Sequence, residues 1–171
     1  MINKDLYISK CRPNAVIPTY ANKGDAGMDL YSCIDIDVNP GQTVLVPVGL
    51  KMAIPEGYEV QIRPRSGISL KTMLRIPNSP GTIDCGYRDE INVIIHNASQ
   101  VLLCEKDSSD NFLRYDLSTK GAPHGIYSIK TGDRIAQMVF ARVETTNIVE
   151  VSTVDDIGTS RGGGFGSSGI Q

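Results

Sequence analysis

The chain has 171 residues and a formal net charge of −2, enough length for one domain with a real core and too little positive charge for duplex nucleic acid to be its main partner. The opening MINKDLYISK holds no apolar signal core, and no run approaches the roughly 18–20 apolar residues of a membrane span, so a soluble, cytoplasmic or otherwise intracellular protein is expected. Cys11, Cys33, Cys85 and Cys104 form no CxxC pair, and with only His96 and His124 beside them they read as free thiols in a reducing compartment rather than as a zinc site.

Short β-type runs recur between turn residues. Residues 43–54 (TVLVPVGLKMAI) are apolar and β-branched, and 58–63 (YEVQIR), 91–96 (INVIIH) and 134–143 (RIAQMVFARV) follow. NPGQ, IPEGY, NSPGTIDCGY and KTGDR punctuate them. No stretch keeps apolar spacing of i, i+3, i+4, i+7 over three turns, and the best helix candidate is short, at 66–74. Many short strands with regular turn signals predict an antiparallel barrel or sandwich, not an α/β nucleotide-binding fold.

Several polar groups interrupt this pattern. In 63–71 (RPRSGISLK), Arg65, Ser66 and the Gly67 backbone stand at a helix start, where unpaired N–H groups favour an anion; an ordinary Ser N-cap with solvated arginines explains the same residues. Residues 78–93 (NSPGTIDCGYRDEINV) read as strand, tight turn, strand. Asp84 lies in the apolar TID, where a carboxylate is costly without a task such as activating water. The alternative is a turn-capping Asp before Gly. Tyr87, at the turn, could lie flat under a sugar ring. Residues 100–128 are polar and turn-rich, a long excursion between two strands that is either functional or disordered, with Phe112, Leu113 and Tyr115 as anchors. Gln137, polar within an apolar run, could serve a ligand or the backbone.

The tail ends in SRGGGFGSSGIQ. GFGSSG (164–169) matches GxGxxG, but the two residues after Gly169 leave no room for the helix that motif requires, and the tail has no P-loop Lys. What remains is glycine backbone that can approach anionic oxygens, the Arg161 fork, and the flat face of Phe165, which can stack on a base. The alternative is an unstructured terminus.

Taken in order, AGMDLYS (26–32), RPRSGISLK, NSPGTIDCGYRDEINV, GDRIAQMVF (132–140) and RGGGFGSSG (161–169) resemble the five motifs of the trimeric dUTPase family, over about residues 15–169 without the excursion. The resemblance implies one all-β domain, 1–171: a jelly-roll-like antiparallel β-barrel with one short helix. It implies a homotrimer with three shared sites, and a C-terminal lid at about 156–171 that closes over another subunit's site. The implied reaction is hydrolysis of dUTP to dUMP and pyrophosphate, which limits uracil in DNA and supplies dUMP for thymidylate synthesis. The implied cofactor is Mg2+, held mainly through substrate phosphates and water, with Asp29 as a protein contact.

Residue roles carry over from the same resemblance. Asp84 activates the attacking water, and Gln137 sits near the water and the reacting phosphate. Arg65, Ser66 and Gly67 hold phosphate, with Asp29 orienting Arg65. Gly81 and Ile83 line the uracil, Asn78, Thr82 and Asn92 complete that hairpin's substrate contacts, and Tyr87 excludes a ribose 2′-OH. Arg161 meets the γ-phosphate, Phe165 stacks on uracil, and Gly166 and Ser167 complete the phosphate grip.

The sequence departs from the family pattern in places. Arg161 to Phe165 is one step shorter than usual, and Asp89 stands where Gly is common. The excursion is longer than the usual connection, at a place where some bacteriophage members carry a segment that binds protein partners. Two further readings are a dCTP deaminase, which needs a different catalytic Glu pattern in the hairpin, and a nucleotide-responsive regulatory protein acting through 100–128.

Overall fold

The computed structural model describes residues 5–160. Arg161, Phe165, Gly166 and Ser167 lie outside the described residues, as does most of the expected lid.

Twelve strands and one short α-helix occur among the described residues. Period-two alternation makes the strands, with one face apolar and the other polar. In β2 (Gly27–Tyr31) Met28 and Leu30 are buried while Asp29 faces the other way. In β6 (Tyr58–Arg63) Val60 and Ile62 are buried. β12 (Arg134–Arg142) buries Ile135, Ala136 and Met138, and a register shift between Arg134 and Ala136 is what lets two consecutive residues face inward and turns Gln137 outward. These strands and β8 (Gly81–Ile83) form one sheet in the order β2-β12-β6-β8, antiparallel throughout.

A second sheet runs β4 (Thr43–Pro47), β9 (Asn92–Asn97), β7 (Leu74–Arg75), and β1 (Tyr7–Lys10) pairs with β5 (Leu50–Ala53). A third sheet orders β10 (Arg114–Asp116), β11 (Ile126–Ile129) and β3 (Ile36–Val38). Leu30, Val46, Leu50, Val60, Ile91, Val93, Tyr127, Ile129 and Met138, each at most 1% exposed, make the shared core. The fold is the expected all-β, jelly-roll-like one.

Two local expectations change. The run 43–54 is two strands in different sheets, because Gly49 has φ +69 and its Cα lies against Cys33, Ala15 and Arg12, leaving no room for a side chain. The helix expected over 66–74 is α1, Ser66–Lys71. Thr72 ends it: its hydroxyl donates to the Ile68 carbonyl at 2.8 Å and accepts from the Leu74 N–H at 3.1 Å, which hands Leu74 to the core through β7.

The excursion carries structure of its own. A 3-10 turn spans Val101–Leu103, and β10 pairs in parallel with β11, so the excursion's last residues, including buried Ser128, belong to a core strand. Tyr115 is its core anchor, tilted against Tyr127 with ring centroids 6.0 Å apart. Phe112 instead lies under the Lys106 ammonium, and Leu113 contributes through its backbone, accepting from Ile126. All four cysteines are free. Among the described residues no helix is long and apolar enough to cross a membrane.

Candidate active site

On the outer face of the four-stranded sheet, register places Asp29, Gln137 and Arg63 in one row across β2, β12 and β6. Two of them reach the segment that leaves β6. The Gln137 amide donates to the Pro64 carbonyl at 2.9 Å, and its other end presses against Gly27, where any Cβ would collide. The Asp29 carboxylate accepts from Arg65 Nε at 2.7 Å and from Arg134 Nη1 at 3.2 Å, and Arg65 Nη1 also donates to the Arg134 carbonyl at 3.3 Å. One carboxylate between two guanidiniums fixes the Arg65 stem and leaves a local positive surplus. An open cavity of about 320 Å³, lined by Thr19, Asp25, Gly27, Asp29 and Gln137, lies beside them.

Ser66 opens α1, but the N-cap is Arg65, in extended conformation and without a side-chain cap, so the plain Ser N-cap explanation does not hold. Nothing lies within 4 Å of where a Gly67 Cβ would be.

The hairpin residues lie elsewhere. Gly81 is buried against Ile62, where an added Cβ would stand 3.2 Å from Asn78 Nδ2, and Thr82 points to solvent. Ile83 packs on the core. Asp84 is not inside the strand as its sequence suggested. It follows β8 and opens a turn closed by the Tyr87 N–H onto its carbonyl at 3.0 Å. Its carboxylate is exposed and makes no hydrogen bond or ion pair with the described residues, so the cost expected of a buried carboxylate does not arise. The Tyr87 hydroxyl and Asn92 Nδ2 both donate to the Glu90 carbonyl, at 3.1 and 3.0 Å.

The chain therefore keeps its polar residues in two groups. β2 and β8 are three strand spacings apart, roughly 14 Å, and the register that pairs Val60 with Ile83 sets Asp84 level with Glu59, roughly 13 Å back along β6 from Arg63. Asp29, Arg65 and Gln137 come together; Asp84 and Tyr87 do not join them within the chain.

Arg134, Glu90 and Arg12 escaped sequence reasoning. Arg134 sits inside a recognised motif, but its pairing with Asp29 needs the β2–β12 register. Arg12 meets Glu90 across 78 residues, with Nη2 at 2.8 Å. That guanidinium holds the Glu90 carboxyl below the usual carboxylate range, with lesser help from the Cys11 thiol and the Gly49 backbone. Burial pushes the neighbouring Cys33 thiol up.

Among the described residues no group of three or more His, Cys, Asp or Glu could hold a metal ion. Asp29 already balances two guanidiniums, so a direct metal bond there would compete with both.

A β-fold that aims an arginine with a carboxylate and sets a second, exposed carboxylate at a turn fits the nucleotide hydrolases. The dUTPase family model matches residues 13–105 and 124–169, omitting part of the excursion, and the chain belongs to the dUTPase family. The deoxyuridine 5′-triphosphate nucleotidohydrolase of Solibacter usitatus is 41% identical over 164 residues, covering 95% of this chain and 94% of that protein. The Picosynechococcus enzyme of the same name is 42% identical over 96% of this chain and 98% of its own. Among solved structures, Staphylococcus bacteriophage 80alpha dUTPase with dUPNHPP aligns at TM-score 0.81 and 28% identity, over 98% of this chain and 100% of that one. A mutant dUTPase from phage phi11 of S. aureus, described with a structural Mg(II) ion, aligns at 0.76 and 27%, over 88% and 99%.

Proposed function

We propose that the chain hydrolyses dUTP to dUMP and pyrophosphate in sites assembled between three copies, with Asp84 as the base. The class, dUTP diphosphatase, follows from the family. The observation that carries the shared site is the separation of Asp84 and Tyr87 from Asp29, Arg65 and Gln137 within one protomer.

Water loses a proton to the Asp84 carboxylate as its oxygen bonds to the α-phosphorus. The bond from that phosphorus to the bridging oxygen breaks, and pyrophosphate leaves. An exposed carboxylate without a partner among the described residues suits the task, since none of them competes for its lone pairs. Arg65, aligned by Asp29, receives phosphate with Ser66 and the Gly67 backbone. Gln137 holds Pro64 and thereby the approach to Arg65, close to where the reacting phosphate lies.

Uracil is read by the hairpin of Asn78, Gly81, Thr82, Ile83 and Asn92, and Tyr87 excludes a ribose 2′-OH. Arg161, Phe165, Gly166 and Ser167 close over γ-phosphate and base from a third copy. Among the described residues no group of three or more His, Cys, Asp or Glu gathers, which supports Mg2+ held mainly by substrate phosphates and water, where it would neutralise phosphate charge. The relatives named above are nucleotidohydrolases, which supports hydrolysis over deamination.

The test is pyrophosphate release from dUTP, UTP, dCTP and dTTP with Mg2+ and then with chelator. Release from dUTP alone, lost with chelator, is expected; no release from any of them would sink the proposal.

A regulatory reading has one observation in its favour. Ala122 in the excursion donates its N–H to the Lys71 carbonyl at 2.9 Å, joining the excursion to the far end of the helix that Arg65 caps. The phage 80alpha protein is described as controlling transfer of virulence genes by a G protein-like mechanism. Deleting 106–123 should spare hydrolysis and abolish partner binding; an unchanged interaction profile would end this reading.

A further inference from the structure

The turn that carries Asp84 and Tyr87 is held mostly by itself. Tyr87 N–H closes onto Asp84, Arg88 Nη1 donates to the Cys85 and Tyr87 carbonyls at 2.6 and 2.8 Å, and the Tyr87 hydroxyl and Asn92 amide converge on the Glu90 carbonyl. Among the described residues, these hydrogen bonds all stay inside 84–92. Out of the segment, the Ile91 N–H donates to the Leu50 carbonyl at 2.9 Å and the Ile91 carbonyl accepts from the Val48 N–H at 3.1 Å, and the Glu90 carboxylate is gripped through two parallel bonds by Arg12, Nε to Oε1 at 2.5 Å and Nη2 to Oε2 at 2.8 Å.

Arg12 stands on fixed ground. Cys11 N–H donates to the Gly49 carbonyl at 2.8 Å, Ala15 N–H to the Arg12 carbonyl at 3.2 Å, and Ala15 is 3% exposed. Gly49, lacking a side chain, lets the Arg12 stem lie against the β4–β5 junction. A bidentate guanidinium–carboxylate pair fixes orientation as well as distance, which a single ammonium contact does not. Glu90 is thus joined through its side chain to the rigid junction and through its carbonyl to the Tyr87 hydroxyl.

We propose that Arg12 is a positioning residue for Tyr87: with Ile91 tied to Leu50 on one side of Glu90, the clamp on the Glu90 side chain completes the hold on the carbonyl that orients the Tyr87 ring, and so sets how strictly the site rejects a ribonucleotide. This rests on the reading of Tyr87 as the sugar gate. Arg12 touches no substrate and acts only through Glu90 and Tyr87. A misplacement on the order of 1 Å is enough to alter such discrimination strongly.

The experiment compares kcat/KM for dUTP and for UTP in the full-length protein, its Arg12→Met, Arg12→Lys and Tyr87→Ala variants, and the Arg12→Met/Tyr87→Ala double variant. The ratio of the two constants is the readout, because loss of folded protein lowers both alike and leaves the ratio unmoved. Arg12→Met should lower the dUTP-over-UTP preference about 10-fold. Arg12→Lys, keeping charge but not the fork, should fall between it and the parent. Tyr87→Ala should lower the preference further, and the double variant should be no worse than Tyr87→Ala alone.

An unchanged ratio in Arg12→Met beside a collapsed ratio in Tyr87→Ala overturns the proposal and leaves the sugar gate standing. An unchanged ratio in Tyr87→Ala removes the gate and the proposal together. Additive losses in the double variant show Arg12 acting by another route and overturn it too.

Discussion

Gln137 and Asp29 stand opposite each other in the β12–β2 register, and each grips a different one of two successive residues. Gln137 holds the Pro64 carbonyl at 2.9 Å, and Asp29 holds Arg65 Nε at 2.7 Å. Two strands thus fix the backbone before the arginine and the arginine itself, so the guanidinium is aimed before any ligand arrives. A group oriented in advance loses less conformational freedom on binding.

Asp29→Asn tests that arrangement. It removes the charge that aligns Arg65 and Arg134 but keeps the shape. KM for dUTP should rise about 10-fold, while stability should change by about 1 kcal/mol or less, since both partners are partly exposed. Steady-state kinetics and a urea titration read the two separately; an unchanged KM would remove Asp29 from the phosphate site.

Asp84→Asn should lower kcat by about 10²–10⁴-fold, roughly 3–5 kcal/mol of transition-state stabilisation, with dUTP still bound. Stability should barely move, because the carboxylate has no partner among the described residues. Single-turnover rates and nucleotide titration measure this; wild-type turnover would show that Asp84 is not the base.

Gly49→Ala should destabilise by about 2–4 kcal/mol. The backbone at φ +69 disfavours any side chain, and the new methyl would stand 2.6 Å from Cys33 Sγ and 2.8 Å from the Ala15 Cβ. Denaturant midpoints decide it, and a loss under about 0.5 kcal/mol would mean the junction yields easily.

Glu90 makes stability depend on acid. Its folded-state pKa is depressed by Arg12, so the contribution is complete at neutral pH, above the unfolded value of about 4.3, and is lost as pH falls through the folded value. The difference in urea midpoint between the parent and Glu90→Gln should be largest near neutrality and shrink below about pH 4. A difference that stays constant from neutrality into acid would show that Arg12 does not lower the Glu90 pKa.

Much of the fold could be read from alternation alone, because Met28/Leu30, Val60/Ile62 and Val93/Ile95 each mark a buried face. Less legible were points where one residue overrides its neighbours. Gly49 splits a continuous apolar run, and the Thr72 hydroxyl stops a helix that local propensity would extend. Asp84 looked like a strand residue because TID is apolar, yet β8 ends one residue earlier. Motif residues such as Arg65 and Gln137 could be named from sequence, but their partners could not. The Arg134–Asp29 and Arg12–Glu90 pairs depend on register and on chain segments far apart in sequence, which local patterns do not encode.

The spacing between Asp84 and Arg65 has a consequence for inheritance. If each site takes one residue from one copy and the other from a neighbour, an Asp84→Asn chain and an Arg65→Ala chain are each dead alone. Mixed at random in trimers, they would regenerate about a quarter of the sites with both residues intact. A cell carrying both damaged alleles would then keep part of the activity that neither allele provides by itself.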